Sequence, residues 1–356
     1  MKSFEIAGRP IGPAHAPYVI AEMSGNHNRS LDRALAIIDA IADAGAHAVK
    51  LQTYTADTMT LDLREGAFVI DDPKSLWHGR SLHDLYAEAH TPWDWHPALF
   101  ERARERGIAC FSSPFDDTAV DLLEGLDAPA YKVASFENTD VALLRRVART
   151  GRPVIVSTGM ANLAEMHQAV ATIRAEGNDQ IVLLKCTSTY PADPGDSHLR
   201  TIPHLREAFG VQVGLSDHTL GIGVPLAAVA LGATVIEKHV TLDRSEGGVD
   251  AAFSLEPHEL RALVDETARA HASLGEVLYG ASAAEQGSLQ FRRSLYVTRD
   301  VVAGEALTRA NVRAIRPGYG LPVADLERVL GMAVTRDVAR GTPLDWSMLR
   351  AAGSRT

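Results

Sequence analysis

The chain has 356 residues, 46% of them apolar, and a formal net charge of −10. That length holds one large domain with a small one beside it, and the composition is that of a globular protein, not a disordered one. The acidic balance gives no support to nucleic-acid or anionic-membrane binding, which would call for a basic face, so basic residues gathered in a pocket would serve a small anion.

The first ten residues hold no apolar stretch of signal-peptide length, and no later window is long and apolar enough for a bilayer span. The expectation is a cytoplasmic protein with neither nucleic acid nor membrane as a partner. Cys110 and Cys186 both lie inside apolar runs, too few for a disulfide framework and without metal-site spacing. They read as buried structural thiols.

In chain order, strand-like runs occupy residues 18–23, 48–53, 108–113, 130–135, 154–159, 181–188, 211–217 and 234–240. Helix-like amphipathic stretches lie between them, among them 31–44, 93–106, 141–149, 163–175, 199–209 and 224–231. Alternation of this kind means parallel strands with right-handed crossovers. Eight such units predict a (β/α)8 TIM barrel rather than an open sheet. The insert at residues 56–90 is too long for a simple connection, and following the second strand it would cover the barrel mouth.

Every run ends in a polar group: Glu22; Lys50 with Gln52; Ser112 with Ser113; Lys132 with Ser135; Ser157 with Thr158; Lys185 with Thr187 and Ser188; Ser216 with Asp217 and His218; Glu237 with His239. The C-terminal ends of barrel strands converge on one site, so these tips predict a single catalytic cavity. Strand alternation puts Lys50 and Gln52 on one face, Lys185 and Thr187 on one face, and Glu237 and His239 on one face, with Lys238 turned away. His218 and His239, each closing an apolar run, read as two imidazole ligands for a catalytic divalent metal. Lys50 and Lys132, flanked by apolar residues and joined by Ser and Thr hydroxyls, read as a phosphate and carboxylate pocket. Ser157-Thr158-Gly159 adds a turn whose backbone N–H groups suit the same anion. Spacing alone leaves open a Schiff-base lysine, as in one class of barrel aldolases.

Eight segments together resemble the sialic acid synthase family. They are Ile20-Ala21-Glu22-Met23-Ser24-Gly25-Asn26-His27-Asn28, Ala48-Val49-Lys50-Leu51-Gln52-Thr53, Ser113-Pro114-Phe115, Tyr131-Lys132-Val133-Ala134-Ser135, Ser157-Thr158-Gly159-Met160, Cys186-Thr187-Ser188-Thr189-Tyr190-Pro191, Gly214-Leu215-Ser216-Asp217-His218-Thr219 and Glu237-Lys238-His239. The resemblance runs from about Tyr18 to the end of the chain. It implies a barrel enzyme that condenses phosphoenolpyruvate with an N-acylated amino sugar to form a nine-carbon 2-keto acid. It also implies that His218 and His239 hold a metal, Mn²⁺ first, with Mg²⁺ or Co²⁺ as other options. Lys50, Gln52, Ser113, Lys132, Ser135 and Ser157 match the family's phosphoenolpyruvate contacts. Glu22, Glu137, Ser188, Tyr190, Ser216 and Asp250 go with the substrates, mostly on the sugar side, and Glu22, Lys132, His218 and His239 carry the chemistry.

Within the family, Met23-Ser24-Gly25-Asn26-His27, Ala134-Ser135-Phe136-Glu137, Leu184-Lys185-Cys186 and Asp250-Ala251-Ala252-Phe253-Ser254-Leu255 resemble the pseudaminic branch. Its sugar is a 6-deoxy diacetamido altrose, and Phe136 or Phe253 offers apolar contact for its methyl or second acyl group. An N-acetylneuraminate or legionaminate synthase is the alternative.

Beyond residue 275 the strand–helix alternation stops. Residues 276–291 read as a linker between a barrel at 1–275 and a small β-rich domain at 292–356, where Arg299-Asp300-Val301-Val302-Ala303-Gly304-Glu305 is echoed by Arg336-Asp337-Val338-Ala339-Arg340-Gly341-Thr342. The small domain resembles the antifreeze-like SAF domain that follows the barrel in sialic acid synthases. There Arg316 matches an arginine that reaches the sugar in the partner subunit, which implies a domain-swapped homodimer. Two other readings remain at this stage: a non-catalytic glycan-binding protein with a degenerate barrel, and a metal-dependent aldolase or lyase.

Overall fold

The computed structural model describes residues 3–351. The predicted termini of the two domains, residues 1–2 and 352–356, lie outside them. The chain divides into two compact units, Met1–Gly275 and Glu276–Thr356.

The first unit opens with a hairpin, β1 (Phe4–Ile6) and β2 (Arg9–Ile11). The barrel strands follow: β3 (Tyr18–Glu22), β4 (Ala48–Thr53), β5 (Ala109–Pro114), β6 (Tyr131–Val133), β7 (Val154–Ser157), β8 (Ile181–Cys186), β9 (Gln212–Asp217) and β10 (Val235–His239). All pair in parallel, and β10 returns to β3 to close the barrel. Several strands stop one or two residues short of the predicted runs, because Ser135, Gly159, Ser188 and Val240 have already left the ladder for the loops above it.

Alternation sorts each strand. Val19, Ala21, Val49, Leu51, Cys110, Tyr131, Val133, Val156, Leu183, Val213 and Ile236 point outward into the main core. A helix such as α1 (Leu31–Asp43), capped by Ser30, meets that core with Ala34, Ile37, Ile38 and Ile41 on one face. The inward set, including Ile20, Ala48, Phe111, Ala130, Ile155, Val182, Leu184 and Val235, fills the lower barrel. Ile6 and Ile11 of the hairpin pack into this set, so the hairpin plugs the barrel floor, a role the sequence reading did not assign. Each fully buried isoleucine contributes roughly 1.5–3 kcal/mol of burial free energy. Apolar side chains seal most of the floor, with Gln212 beside the hairpin as an inward polar residue there, and the other polar tips named from the strand alternation gather at the upper end.

The insert after β4 contains α2 (Ala56–Met59), a 3-10 turn (Gly66–Phe68) and α3 (Leu82–Ala89). The remaining helices are α4 (His96–Glu105), α5 (Asp117–Gly125), α6 (Val141–Ala148), α7 (Leu163–Ala175), α8 (Thr201–Phe209), α9 (Gly223–Ala230) and α10 (Pro257–Leu274).

The second unit pairs β11 (Ser294–Val297) with β12 (Val312–Ile315), holds the short α11 (Leu326–Val329), and pairs β13 (Ala333–Val334) with β14 (Leu349–Arg350), both pairs antiparallel. Its own core gathers Leu295, Val297, Val301, Leu307, Val312, Leu321, Val329, Val334, Val338, Leu344 and Leu349. The echoed segments meet each other: Val301 and Val338 exchange backbone hydrogen bonds of 2.9 Å in both directions. The segment read as a linker carries a 3-10 helix, Ala283–Phe291, started by a reciprocal Ser282–Glu285 cap.

Candidate active site

Strand register brings the upper inward residues into layers. His239 lies beside Glu22, and Glu22 beside Lys50. Gln52 lies beside Ser113. Because these partners project from the same face of adjacent strands, their side chains share one cavity.

At its centre Lys50 Nζ stands 2.5 Å from Glu22 Oε2 and 3.2 Å from Glu237 Oε1. Lys132 Nζ donates to Ser157 Oγ at 2.6 Å and lies 3.9 Å from Glu237. Ser216 Oγ donates to Glu237 Oε1 at 2.9 Å, and Glu22 Oε1 accepts from the Ser24 N–H at 2.9 Å. Burial draws the Lys50 ammonium down to about 8 against the pull of Glu237. Burial acts to raise Glu237, but Lys132 and Lys50 outweigh it and hold the carboxylate down at about 2. Two buried lysines facing two buried glutamates form a neutral set that an entering anion can reorganise by taking the ammonium groups for itself.

Several buried polar atoms lack hydrogen-bond partners among the described residues: Ser113 Oγ, Glu137 Oε2, Glu237 Oε2 and His239 Nδ1. An unpaired buried polar atom costs about 1–3 kcal/mol, so a cluster of them at a barrel mouth marks where a polar ligand belongs. Gln52, in register with Ser113, lies on the same inward face as Lys50. Glu137 closes the 3-10 turn Ser135–Glu137, and burial pushes its carboxyl up to about 7 against Lys132. Gly159 lets Ser135 and Ser188 close over the backbone after β7, because a Cβ there would collide with both side chains. The same turn is held by Asn138, whose amide donates to the carbonyls of Ser157 (3.1 Å) and Gly159 (3.2 Å).

His218 and His239 face one another with ring centroids 5.3 Å apart. His218 Nδ1 lies 3.0 Å from the Thr187 carbonyl, which assigns the proton to Nδ1 and leaves Nε2 as a lone-pair donor. Burial, then His218 and the nearby lysines, keep His239 far below the usual histidine range and hence neutral. Its unbonded Nδ1 sits 3.5 Å from Asp250 Oδ2. Asp250 is raised by burial and is held by a short hydrogen bond from Ser24 Oγ. Burial acts to lower His218, but Cys186 outweighs it and raises the imidazole. Two imidazoles that each keep a ring nitrogen available once unprotonated, beside a carboxylate, fit a divalent cation. Among the described residues, the one group with three potential ligand atoms within 4.8 Å of one another is Glu256, His258 and Glu259. Glu256 and Glu259 there cap α10 and bind Arg244, which accounts for them without an ion.

Tyr190 packs on the His218 ring at 4.6 Å, and buried Phe253 meets Tyr190, His218 and His239 at 5.4, 5.9 and 5.0 Å. Of the two phenylalanines named from the sequence, Phe253 stands beside the histidines, while Phe136 is 61% exposed.

The structure brings Glu22, Lys50, Gln52, Ser113, Lys132, Ser135, Ser157, Ser188, Tyr190, Ser216, His218, His239 and Asp250 to the upper end of the barrel. Arg316 lies in the second unit, just beyond β12, exposed and without a side-chain partner among the described residues. Two sequence readings need correction. Cys186, read as a structural thiol, is the inward residue that ends β8, with Sγ 4.0 Å from His218 Nδ1. Burial raises its thiol, but His218, Ser135 and Lys132 bring it down to about 6. Lys185, read among the polar tips, is on the outward face and binds the Cys186 carbonyl and Thr187 Oγ1. The continuous apolar run 181–184 carries no alternation that could have separated the two. Glu237 was read as a polar tip on the face of His239 but given no role, and Asn138 was not singled out from the sequence. The face shared by Glu237 and His239 was a usable signal for the first, whereas nothing local announced the second.

A model of the NeuB family matches residues 37–279, and a SAF domain model matches 292–350. The chain belongs to the NeuB family. It is 42% identical over 327 residues to the pseudaminic acid synthase of Campylobacter jejuni, spanning 92% of this chain and 95% of that protein. With the N,N'-diacetyllegionaminic acid synthase of Legionella pneumophila it shares 34% identity over 351 residues, 96% and 97% of the two chains. The crystal structure of N-acetylneuraminic acid synthetase from Leptospira borgpetersenii superposes with a TM-score of 0.73 at 33% identity, covering 82% of this chain and 96% of that one. Family membership makes the protein an enzyme and removes the glycan-binding alternative. No helix among the described residues is long and apolar enough to cross a membrane.

Proposed function

We propose that this NeuB-family enzyme condenses phosphoenolpyruvate with 2,4-diacetamido-2,4,6-trideoxy-L-altrose to give pseudaminic acid and phosphate. The observation that carries the reading is the buried set of Lys50, Lys132, Glu22 and Glu237 under the histidine pair, at the end of the barrel where unpartnered hydroxyl and carboxylate oxygens converge. The branch is favoured by the higher identity to the Campylobacter pseudaminic acid synthase than to the Legionella legionaminic acid synthase.

In this reading Lys50 and Lys132 exchange their glutamate partners for the phosphate and carboxylate of phosphoenolpyruvate, with Ser113, Ser135, Ser157 and Gln52 supplying neutral donors. His218 and His239 would hold a divalent cation, Mn²⁺ in the first instance, which when bound supplies electrophilic activation of the sugar carbonyl. The C=C π pair of phosphoenolpyruvate forms the new C–C bond from its methylene carbon to that carbonyl carbon, the C=O π pair passing to the oxygen and C2 becoming an oxocarbenium centre. Water then adds at C2, one of its protons going to the new alkoxide to make a hydroxyl. Phosphate leaves by C–O cleavage with the electron pair of that bond as C2 becomes the ketone and the second water proton is lost. Glu22, released from Lys50 and in register with His239, orients water at C2. Tyr190, Ser188, Ser216, Glu137 and Asp250 line the sugar side.

The working enzyme in this proposal is a cytoplasmic homodimer in which Arg316 reaches the partner's sugar. Arg316 suits that task because a guanidinium offers fixed donors and does not titrate near neutrality. Val277, Leu278 and Tyr279, which are 87%, 59% and 92% exposed, are the kind of apolar surface that a second copy would cover.

The deciding experiment measures phosphate release with Mn²⁺, phosphoenolpyruvate and a panel of amino sugars. The diacetamido 6-deoxy altrose is expected to exceed N-acetylmannosamine and the legionaminate precursor by at least roughly tenfold in kcat/KM, the worth of one lost apolar contact. Equal or better use of either competitor refutes the branch, and no phosphate release with any sugar refutes the reaction.

A further inference from the structure

The mechanism above leaves Trp77 unused, although the insert after β4 delivers it to the rim of the site. Its indole Nε1–H donates to the Val249 carbonyl at 3.1 Å, one residue before Asp250. Its ring meets Tyr190 with centroids 5.7 Å apart. Trp77, Tyr190 and Phe253 thus form one aromatic wall running from the insert to the two histidines. With the polar N–H satisfied, the half-buried ring presents an apolar surface in a fixed orientation. The same ring borders a cavity of about 610 Å³ that also meets Asn28, Arg29, Leu76 and Ala252. Leu76 is 49% exposed there, and Arg29 is also exposed, its guanidinium without a side-chain partner among the described residues. An apolar ring and a guanidinium donor lining one cavity supply the chemistry that recognises an acetamido group, whose methyl is apolar and whose carbonyl accepts.

We infer that Trp77 and Arg29 form a subsite for an N-acyl arm of the sugar, so that the insert selects for the second acetamido group. This rests on the reading under Proposed function.

The test compares Trp77→Ala, Trp77→Phe and Arg29→Ala with the unaltered enzyme. Trp77→Ala is expected to raise the sugar KM about tenfold and to erode the preference for the diacetamido sugar over N-acetylmannosamine, with the phosphoenolpyruvate KM changed less than about twofold. Trp77→Phe keeps an aromatic surface and should retain most of the preference, and Arg29→Ala should lose part of it. Unchanged sugar KM and preference in Trp77→Ala overturn the inference.

A second readout does not depend on turnover. Trp77 is one of four tryptophans, so binding of the diacetamido sugar should alter indole emission in the unaltered enzyme and not in Trp77→Phe. The same emission change in both proteins, or none in either, also overturns it. If no sugar in the panel supports phosphate release, the reaction reading fails and this titration still decides the subsite.

Discussion

Lys238 and Lys132 are both buried lysines on barrel strands, and replacing each by methionine should give opposite results. Lys238 is on the outward face of β10, fully buried, where Nζ bonds Asp217 Oδ2 at 2.7 Å and the carbonyls of Thr219 (2.5 Å) and Gly221 (3.0 Å). Lys238→Met leaves Asp217 buried with its ammonium partner gone, and breaking such a pair costs about 3–5 kcal/mol. Asp217 still accepts from the Thr219 N–H and hydroxyl, at 3.1 and 3.0 Å, which places the loss near the lower figure, about 3 kcal/mol. For a unit of this size that is a fall in Tm of roughly 6–12 °C. The assay is thermal and urea unfolding beside steady-state kinetics at a temperature where the variant remains folded. The phosphoenolpyruvate KM should stay within about twofold, since changes that lie away from the substrate leave uniform binding intact. Lys132→Met should instead abolish turnover with a smaller loss of stability than Lys238→Met, because Lys50 remains 3.2 Å from the Glu237 carboxylate that Lys132 helps to hold charged, and removing a desolvated ammonium offsets part of the lost Ser157 contact. A Lys238→Met enzyme that keeps its Tm but loses phosphoenolpyruvate binding would show that the outward assignment is wrong, and with it the layering from which the site was built.

Glu137 is raised to about 7 by burial, so kcat/KM for the sugar should show a limb near pH 7 that is absent from Glu137→Gln. The sign for stability follows from a folded value above the unfolded one: its contribution is present below about 4.5 and is lost as pH rises through 7. Glu137→Gln should therefore be the more stable protein at pH 8 and equal at pH 4, by differential scanning calorimetry, and a difference confined to the acid side contradicts the assignment. Exhaustive chelation should abolish phosphate release and Mn²⁺ should restore it, and retention of full rate by the His218→Ala, His239→Ala double variant would exclude those residues as ligands. Mixing inactive Arg316→Ala and His239→Ala homodimers should restore part of the activity once subunits exchange, and confirmed exchange without rescue would assign Arg316 to no partner's site.

Much of the protein was determined by sequence alone. Eight polar-tipped apolar runs alternating with amphipathic stretches sufficed for the barrel and its active end, because strand period and parallel pairing are local consequences of side-chain pattern. The same alternation separated Lys238 from Glu237 and His239. Tertiary structure decided whatever depended on neighbours distant in the chain. Buried runs such as 181–184 are apolar on both faces, so only strand register could turn Cys186 inward and Lys185 outward. Pairing of Lys50 with Glu22 and Glu237 joins three strands, and the plug formed by Ile6 and Ile11 gains its meaning only from the barrel floor above which it closes. Trp77, inside an insert without periodicity, shows the same limit. Its place at the rim is fixed by a carbonyl 172 positions away and by Tyr190, contacts that come into being only when the barrel closes.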